Sequence, residues 1–110
     1  MNSRNRAVAE LLQKAKSALE AQGWQQDGDF ADDAGRLGLD GALNFAVTGN
    51  PGMPSVGSGA VEGALLDMLI SRDYDGVVAD WNDQPGRTVA EVYELLDEAI
   101  AALGHEGAGP

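Results

Sequence analysis

The stretch "WNDQPGRTVAEVYELLDEAIAAL", residues 81–103, holds a turn, a helix start and an apolar stripe in that order. Pro85 presets the backbone angle at the second position of a type II turn, and Gly86 suits the positive φ of the third position. Thr88 and Glu91 have the Thr-x-x-Glu spacing of a capping box, in which each side chain accepts a hydrogen bond from the other residue's backbone N–H. Apolar residues then recur at helical spacing: Val89, Val92, Tyr93, Leu96, Ala99, Ile100 and Leu103. The pattern predicts a helix from Thr88 to the end of the stretch.

Earlier segments show the same helical spacing. The sequence "RAVAELLQKAKSALEAQ", residues 6–22, places its apolar residues on one helix face and is followed by Gly23. Glycine often ends a helix because it adopts the left-handed conformation easily. A short helical turn is predicted over residues 77–82. We therefore predict an all-α fold, a small irregular bundle of about four helices with a long acidic loop. The predicted helices cover residues 6–22, 40–48, 59–72 and 88–103.

The long acidic loop, residues 25–41, is rich in aspartate and glycine, as calcium-binding loops are. An EF-hand loop needs a glycine at its sixth position and a glutamate at its twelfth. Neither Asp27 nor Asp29 as the first ligand supplies both. We therefore predict no metal site, although an irregular cation site stays open. The alternative is a solvated loop that Phe30 anchors by burial, with Trp24 packed against the end of the first helix.

The size and composition favour one domain without catalytic chemistry. A chain of 110 residues with 44% apolar residues can bury a core. We predict a single helical domain over residues 1–104 and a flexible tail over residues 105–110. The absence of cysteine excludes disulfides and thiolate chemistry. The one histidine, His105, lies in the predicted tail, so we predict no catalytic residue and no cofactor.

The charge is strongly acidic and unevenly distributed. The formal net charge is −11, and residues 1–16 carry four basic residues against one acid, a balance of +3. Residues 17–110 carry three arginines against seventeen acids, a balance of −14. We expect no direct binding to nucleic acid or membrane, because both bind proteins through Lys and Arg. The acidic surface either only keeps the protein soluble or binds a basic protein partner.

The N-terminus shows no signal-peptide pattern, and no stretch approaches the roughly 18 apolar residues of a membrane span. We therefore expect a cytoplasmic protein.

Trp81, Asn82, Asp83 and Arg87 are the candidate partner-binding residues. An exposed Trp81 would act as a binding hot spot, whereas a buried one would fill the core between the short helix and the last helix. Asn82 or Asp83 is expected to end the short helix and bond to the backbone of the turn. Arg87 either pairs with Asp83 or Glu91 or contacts a partner from the surface. The structural interpretation of this corner is favoured over the binding one.

Residues 81–92 resemble the signature Trp-Asn-Asp-x-Pro-Gly-x-Thr-x-x-Glu-Val of a family of small uncharacterised proteins from actinobacteria and their phages. The resemblance extends along nearly the whole chain. It includes a glycine and a tryptophan after the first helix, as at residues 23–24, and a Gly-Ala-Leu helix, as at residues 41–43. Family members often carry a Trp-Cys pair before that helix, where this chain has Gly38 and Leu39. Any chemistry of that cysteine is absent here, and the resemblance implies no activity. If the protein is phage-encoded, the host cytoplasm is its expected location.

Two short segments share an acid-Gly-Ala-Leu tetrad, at Asp40–Leu43 and at Glu62–Leu65. We interpret the shared Gly and Ala as small residues that let helix backbones approach closely.

These observations favour a non-enzymatic accessory protein that acts by binding another protein, whose identity is unknown. A second hypothesis is a phage-encoded inhibitor of a bacterial defence or regulatory protein, with an acidic face that imitates nucleic acid. A third is an enzyme that uses the acids around Trp81, Asp80 and Asp83, as an acid–base pair. A mimic requires carboxylates grouped on one face, whereas an enzyme requires a concave pocket with few, partly buried acids.

Overall fold

The computed structural model describes residues 3–26, 30–52 and 56–107, and the described residues contain helices but no strand. This confirms the predicted all-α fold. Two isolated β-bridges in the loop after the first helix pair Leu37 with Trp24 and with Ala31. The helices are α1 Ser3–Gln22, α2 Leu39–Thr48, α3 Val56–Ile70, α4 Val78–Asn82 and α5 Val89–Gly107.

The core is built mainly from leucine on the facing sides of the four longer helices. α1 packs along both α2 and α5, and α3 packs against α2 and α5 on another side. The apolar stripes predicted from the sequence point into this core, because burying them removes their surface from water. The largest fully buried side chains are Leu12, Leu19, Leu37, Leu39, Leu43, Leu65, Leu69, Leu95, Leu96, Val61, Val78 and Val92.

The helix ends differ in how well the sequence predicted them. α1 ends at Gly23, as predicted, with a φ of 93° and an N–H bond of 2.8 Å to the carbonyl of Leu19. α5 does not stop before Gly104 but continues to Gly107, so three residues assigned to a flexible tail are helical. α1 and α3 begin three residues earlier than predicted. The apolar spacing identifies the part of a helix that packs on the core and does not fix the residue at which the helix begins or ends.

Phe30 does not anchor the acidic loop by burial, because its side chain is 41% exposed. The loop is held by backbone contacts instead. The carbonyl of Phe30 accepts a hydrogen bond of 3.2 Å from the N–H of Gly38, and Leu37 is fully buried. Asp27 and Asp29, on which the calcium interpretation depends, lie outside the described residues.

Asp32 organises the second half of the same loop. Its Oδ1 accepts hydrogen bonds from the N–H groups of Ala34 (3.0 Å) and Arg36 (2.8 Å), and its Oδ2 accepts one from Nε of Arg36 (2.7 Å). Burial raises the pKa of Asp32, but the bonds from Arg36 outweigh that effect and the pKa is lowered. This aspartate therefore has a structural partner in the loop.

The glycines of the two tetrads have different surroundings. Gly41 lies directly under the loop, since a Cβ placed on it would be 1.8 Å from the carbonyl oxygen of Phe30. A Cβ on Gly63 would meet no atom within 4 Å. The interpretation that these glycines let helix backbones approach closely is therefore wrong at both positions, since Gly41 admits the backbone of a loop and Gly63 is open. None of the helices in the described ranges is long and apolar enough to cross a membrane.

Candidate functional site

The turn after α4 has the predicted form. The N–H of Arg87 bonds to the carbonyl of Gln84 at 3.1 Å, and Gly86 has a φ of 84°. Pro85 occupies the second position between them. A positive φ at the third position is the requirement of a type II turn. The chain is thereby turned from α4 into α5.

The predicted capping box at the start of α5 is present. The N–H of Thr88 donates to Oε1 of Glu91 at 2.9 Å, and the N–H of Glu91 donates to Oγ1 of Thr88 at 3.3 Å. The bond from Thr88 is the main cause that lowers the pKa of Glu91, and the ion pair with Arg87 adds to it. The cap fixes the residue at which α5 begins.

Trp81 is buried, with 4% of its side chain exposed, and it belongs to the core. Arg87 covers its face, with the guanidinium carbon 3.9 Å from the ring centroid. Nε of Arg87 donates to the carbonyl of Trp81 at 3.0 Å, and Nη1 donates to Oε2 of Glu91 at 3.1 Å. The burial corrects the assignment of Trp81 as a partner-contact residue, because Arg87 lies between the ring and solvent. Of the two pairings considered for Arg87, the structure contains the one with Glu91.

Asn82 is the centre of a buried hydrogen-bond network, with only 1% of its side chain exposed. Its Oδ1 accepts from Nε1 of Trp24 at 2.6 Å and from the N–H of Leu39 at 3.3 Å. Its Nδ2 donates to the carbonyl of Gln25 at 3.1 Å and to Oδ1 of Asp83 at 2.9 Å. Its assignment as a partner-contact residue is therefore corrected. The helix ends here as expected, with Asn82 as its last residue and Asp83 as its C-cap. The side chain of Asn82 does not bond to the backbone of the turn, because its partners other than Asp83 lie on distant segments.

The network joins three parts of the chain into one unit. Nε2 of Gln26 donates to the carbonyls of Asn82 and Gln84, both at 2.9 Å. The loop after α1, the start of α2 and the end of α4 are thus linked through one asparagine and one glutamine. Asp83 and Arg87 are the two predicted binding residues that keep part of their surface exposed. The corner formed by residues 81–91 is therefore mainly a structural clamp.

A separate concave feature lies between α2, α3 and the start of α4, with a volume of about 230 Å³. We call it the acidic cleft, because two carboxylates, Asp40 from α2 and Glu62 from α3, line it. Asn44, only 6% exposed, is also part of the wall and is held by a bond of 3.0 Å from its Nδ2 to the carbonyl of Pro51. The remaining lining residues are apolar: Phe30, Leu43, Val77, Val78 and Ala79.

The electrostatics of the acidic cleft favour a positive charge. Burial raises the pKa of the Asp40 carboxyl, and the charges of Asp83 and Glu62 raise it further. The N–H of Gly41 donates to Oδ1 of Asp40 at 2.9 Å and opposes the rise. Within the described chain, the ion pairs of Lys and Arg side chains go to other acids, and none reaches Asp40 or Glu62. Among the described residues, the two acids of the cleft therefore have no basic side chain paired with them.

Two apolar side chains stand exposed at the mouth of the acidic cleft. Phe30 is 41% exposed and Val77 is 51% exposed, and both line the cleft. We call them the apolar rim. The hydroxyl of Tyr74 donates to the carbonyl of Val77 at 3.1 Å and supports the segment that presents it. Phe30 and Val77 thus place exposed apolar surface next to the two acidic residues of the cleft.

The sequence reasoning did not place Asp40, Glu62 or Val77 in a site. One signal was available. Asp40 and Glu62 are the first residues of the two acid-Gly-Ala-Leu tetrads, and the packing of α2 against α3 brings these equivalent acids to one cleft. The tetrads therefore mark the cleft, although they were interpreted as packing motifs. Asp80 and Asp83, the acids proposed for an enzyme, do not line it.

The fold and the two sites define a small all-α protein with a buried polar clamp and an acidic cleft bordered by exposed apolar residues. The chain belongs to the Family of unknown function (DUF6197), which it matches over residues 3–102. No curated protein and no solved structure matches the chain. The sequence was expected to resemble a family of uncharacterised proteins, and the match confirms that it contains a domain of unknown function.

Proposed function

We propose that this protein is a non-enzymatic accessory protein that acts by binding another protein through the acidic cleft and its apolar rim. The observation that carries the proposal is the combination of two unpaired carboxylates with two exposed apolar side chains at one depression. Apolar contacts supply affinity in protein interfaces, and charge complementarity supplies specificity and fast association. The net charge of −11 favours a basic partner.

The cleft volume favours a protein partner over a small-molecule substrate. Ligand pockets of enzymes commonly enclose about 300–1,000 Å³, whereas the acidic cleft encloses about 230 Å³. A space of that size suits one long side chain of a partner. Surfaces around the cleft would then form the rest of the interface.

The experiment that tests the proposal begins with affinity purification of a partner from the source organism. The purified pair is then measured by calorimetry. Phe30→Ala and Val77→Ala should each weaken binding, whereas Ile70→Ala should not, because Ile70 is 64% exposed but does not line the cleft. Equal effects of the three substitutions would contradict the proposal.

The salt dependence of the same interaction provides a second test. Affinity should fall as ionic strength rises past the physiological value, where the screening length is about 8 Å. An affinity that does not respond to salt would place the interface on an uncharged part of the surface.

We also propose an actinobacterial or actinophage source and a cytoplasmic location, which the resemblance of the sequence supports. Under that proposal a basic partner includes a host protein that normally binds DNA. The genes next to this one in the source genome would test the origin, and fractionation of tagged cells would test the location.

A further inference from the structure

The acidic cleft has the chemical features of a receptor for a single cationic side chain. Its two acidic residues come from different helices and line the same small cleft. Asp40 is partly buried and already accepts a bond from Gly41, which fixes the direction of its carboxylate. A carboxylate held by the backbone loses little conformational entropy when a cation binds.

Among the residues that the structure describes, no basic side chain lines the cleft. Lys16 pairs with Asp97, and the three arginines that form ion pairs have their own acidic partners. The remaining basic residues, Arg4, Arg6 and Lys14, lie on α1. Because α1 does not line the cleft, the described chain leaves Asp40 and Glu62 free to pair with a cation from another molecule.

We propose that the acidic cleft receives an arginine side chain of the partner protein, whose guanidinium pairs with Asp40 and Glu62 and whose aliphatic stem lies against the apolar rim. This inference rests on the proposed function, since it names the group that the partner contributes. Arginine fits better than lysine for two reasons. Its planar fork of donors matches carboxylates in a fixed geometry, and it stacks on aromatic faces such as that of Phe30.

A divalent cation fits the cleft less well. Calcium takes six to eight oxygen ligands, and the cleft offers two carboxylates. The described residues contain no group of three or more acidic or histidine side chains that could hold a metal ion. An arginine needs only the two carboxylates and an apolar wall.

The test is a titration of the ¹⁵N-labelled full chain with Nα-acetyl-L-arginine amide, followed by amide chemical shifts. We expect saturable shifts at Asp40, Glu62 and Ala79, which border the cleft. Nα-acetyl-L-citrulline amide has nearly the same shape without the charge and should cause none of them. The lysine analogue should require at least severalfold higher concentrations.

Three substitutions that each remove one negative charge, two in the cleft and one elsewhere, distinguish binding at the cleft from binding to the acidic surface in general. Asp40→Asn should abolish the saturable shifts, and Glu62→Gln, which removes the other acid of the cleft, should weaken them as well. Glu94→Gln removes an exposed charge of α5 and should leave the titration unchanged. Equal shifts with citrulline amide, unchanged shifts in both cleft variants, or the same shifts at lower concentrations of calcium would overturn the inference.

A failure of the arginine inference can be distinguished from a failure of the proposed protein-binding function. If a purified partner binds through the apolar rim but retains its affinity with Asp40→Asn, the protein-binding function stands and the arginine inference fails. If arginine amide binds the cleft while no partner depends on Phe30 or Val77, the inference about the cleft stands and the proposed function fails.

Discussion

Replacing Asn82 by alanine should remove the centre of the buried polar clamp and destabilise the protein by about 3–4 kcal/mol. The side chain is 1% exposed and accepts hydrogen bonds from Nε1 of Trp24 and from the N–H of Leu39. Alanine leaves both donors without this acceptor, and a buried donor without a partner costs roughly 1–3 kcal/mol. The lost bond to the carbonyl of Gln25 adds about 1 kcal/mol. Trp24 is partly exposed, so water offsets some of its loss.

This loss is a large fraction of the free energy of unfolding of a small domain, which is roughly 5–15 kcal/mol. The melting temperature should fall by about 12 °C or more, because each kcal/mol shifts a domain of this size by roughly 4 °C. Urea unfolding followed by far-UV circular dichroism is the suitable assay. Tryptophan fluorescence is less suitable, because Trp24 and Trp81 lie next to the substitution and their emission would change directly.

Asn50→Ala is the matched control. Asn50 is exposed, and its Oδ1 accepts a local hydrogen bond of 2.9 Å from the N–H of Gly52. This change should cost under about 1 kcal/mol. A double-mutant cycle with Trp24→Phe should give a coupling energy of about 1 kcal/mol or more, since the indole N–H and the asparagine oxygen are in direct contact. Equal costs for Asn82→Ala and Asn50→Ala, with no coupling to Trp24, would refute the reasoning.

Three further predictions concern single side chains. Thr88→Ala should cost about 1 kcal/mol in urea unfolding, since it removes the cap of α5, whereas Thr88→Ser should restore most of it. Trp81→Ala should cost roughly 3–5 kcal/mol by the same measurement, because it opens a large cavity in the core; an unchanged melting curve would contradict its burial. Asp40→Asn should raise the melting temperature at neutral pH relative to Glu94→Gln. Burial raises the pKa of Asp40 in the folded protein. The folded protein is therefore less stable with Asp40 charged, and this loss of stability develops as the pH rises through the raised pKa. The gain should disappear below about pH 4, where the carboxyl is protonated in the unfolded chain too; a constant gain at every pH would contradict this explanation.

The parts of the fold that the sequence predicted are those set by neighbouring residues. The apolar stripe of α5, the turn at Pro85 and the cap at Thr88 each depend on spacings of a few positions, and all three are present. Helix existence was therefore predicted more reliably than helix length. The extension of α5 to Gly107 was not predicted, because no apolar residue follows Leu103 in the helix to continue the stripe.

The site was harder to predict because it is assembled from distant segments. The partners of Asn82 lie up to 58 positions away along the chain, and nothing in the sequence around Asn82 identifies them. Phe30 was expected to be buried because large aromatic side chains usually are. Its exposure at the mouth of the cleft, 41%, reflects the path of the loop over α2, which is a tertiary property. The paired tetrads were the one local signal that pointed to the cleft.

The contact between Gly41 and the carbonyl of Phe30 constrains how this family can vary. No residue other than glycine fits at position 41 while the loop keeps its course, because even a methyl group would overlap a backbone oxygen. In a relative with alanine or a larger residue there, the loop would have to take a different path over α2. The identity of that single position in an aligned relative is therefore an inexpensive indicator of whether the relative has an acidic cleft of this shape at all.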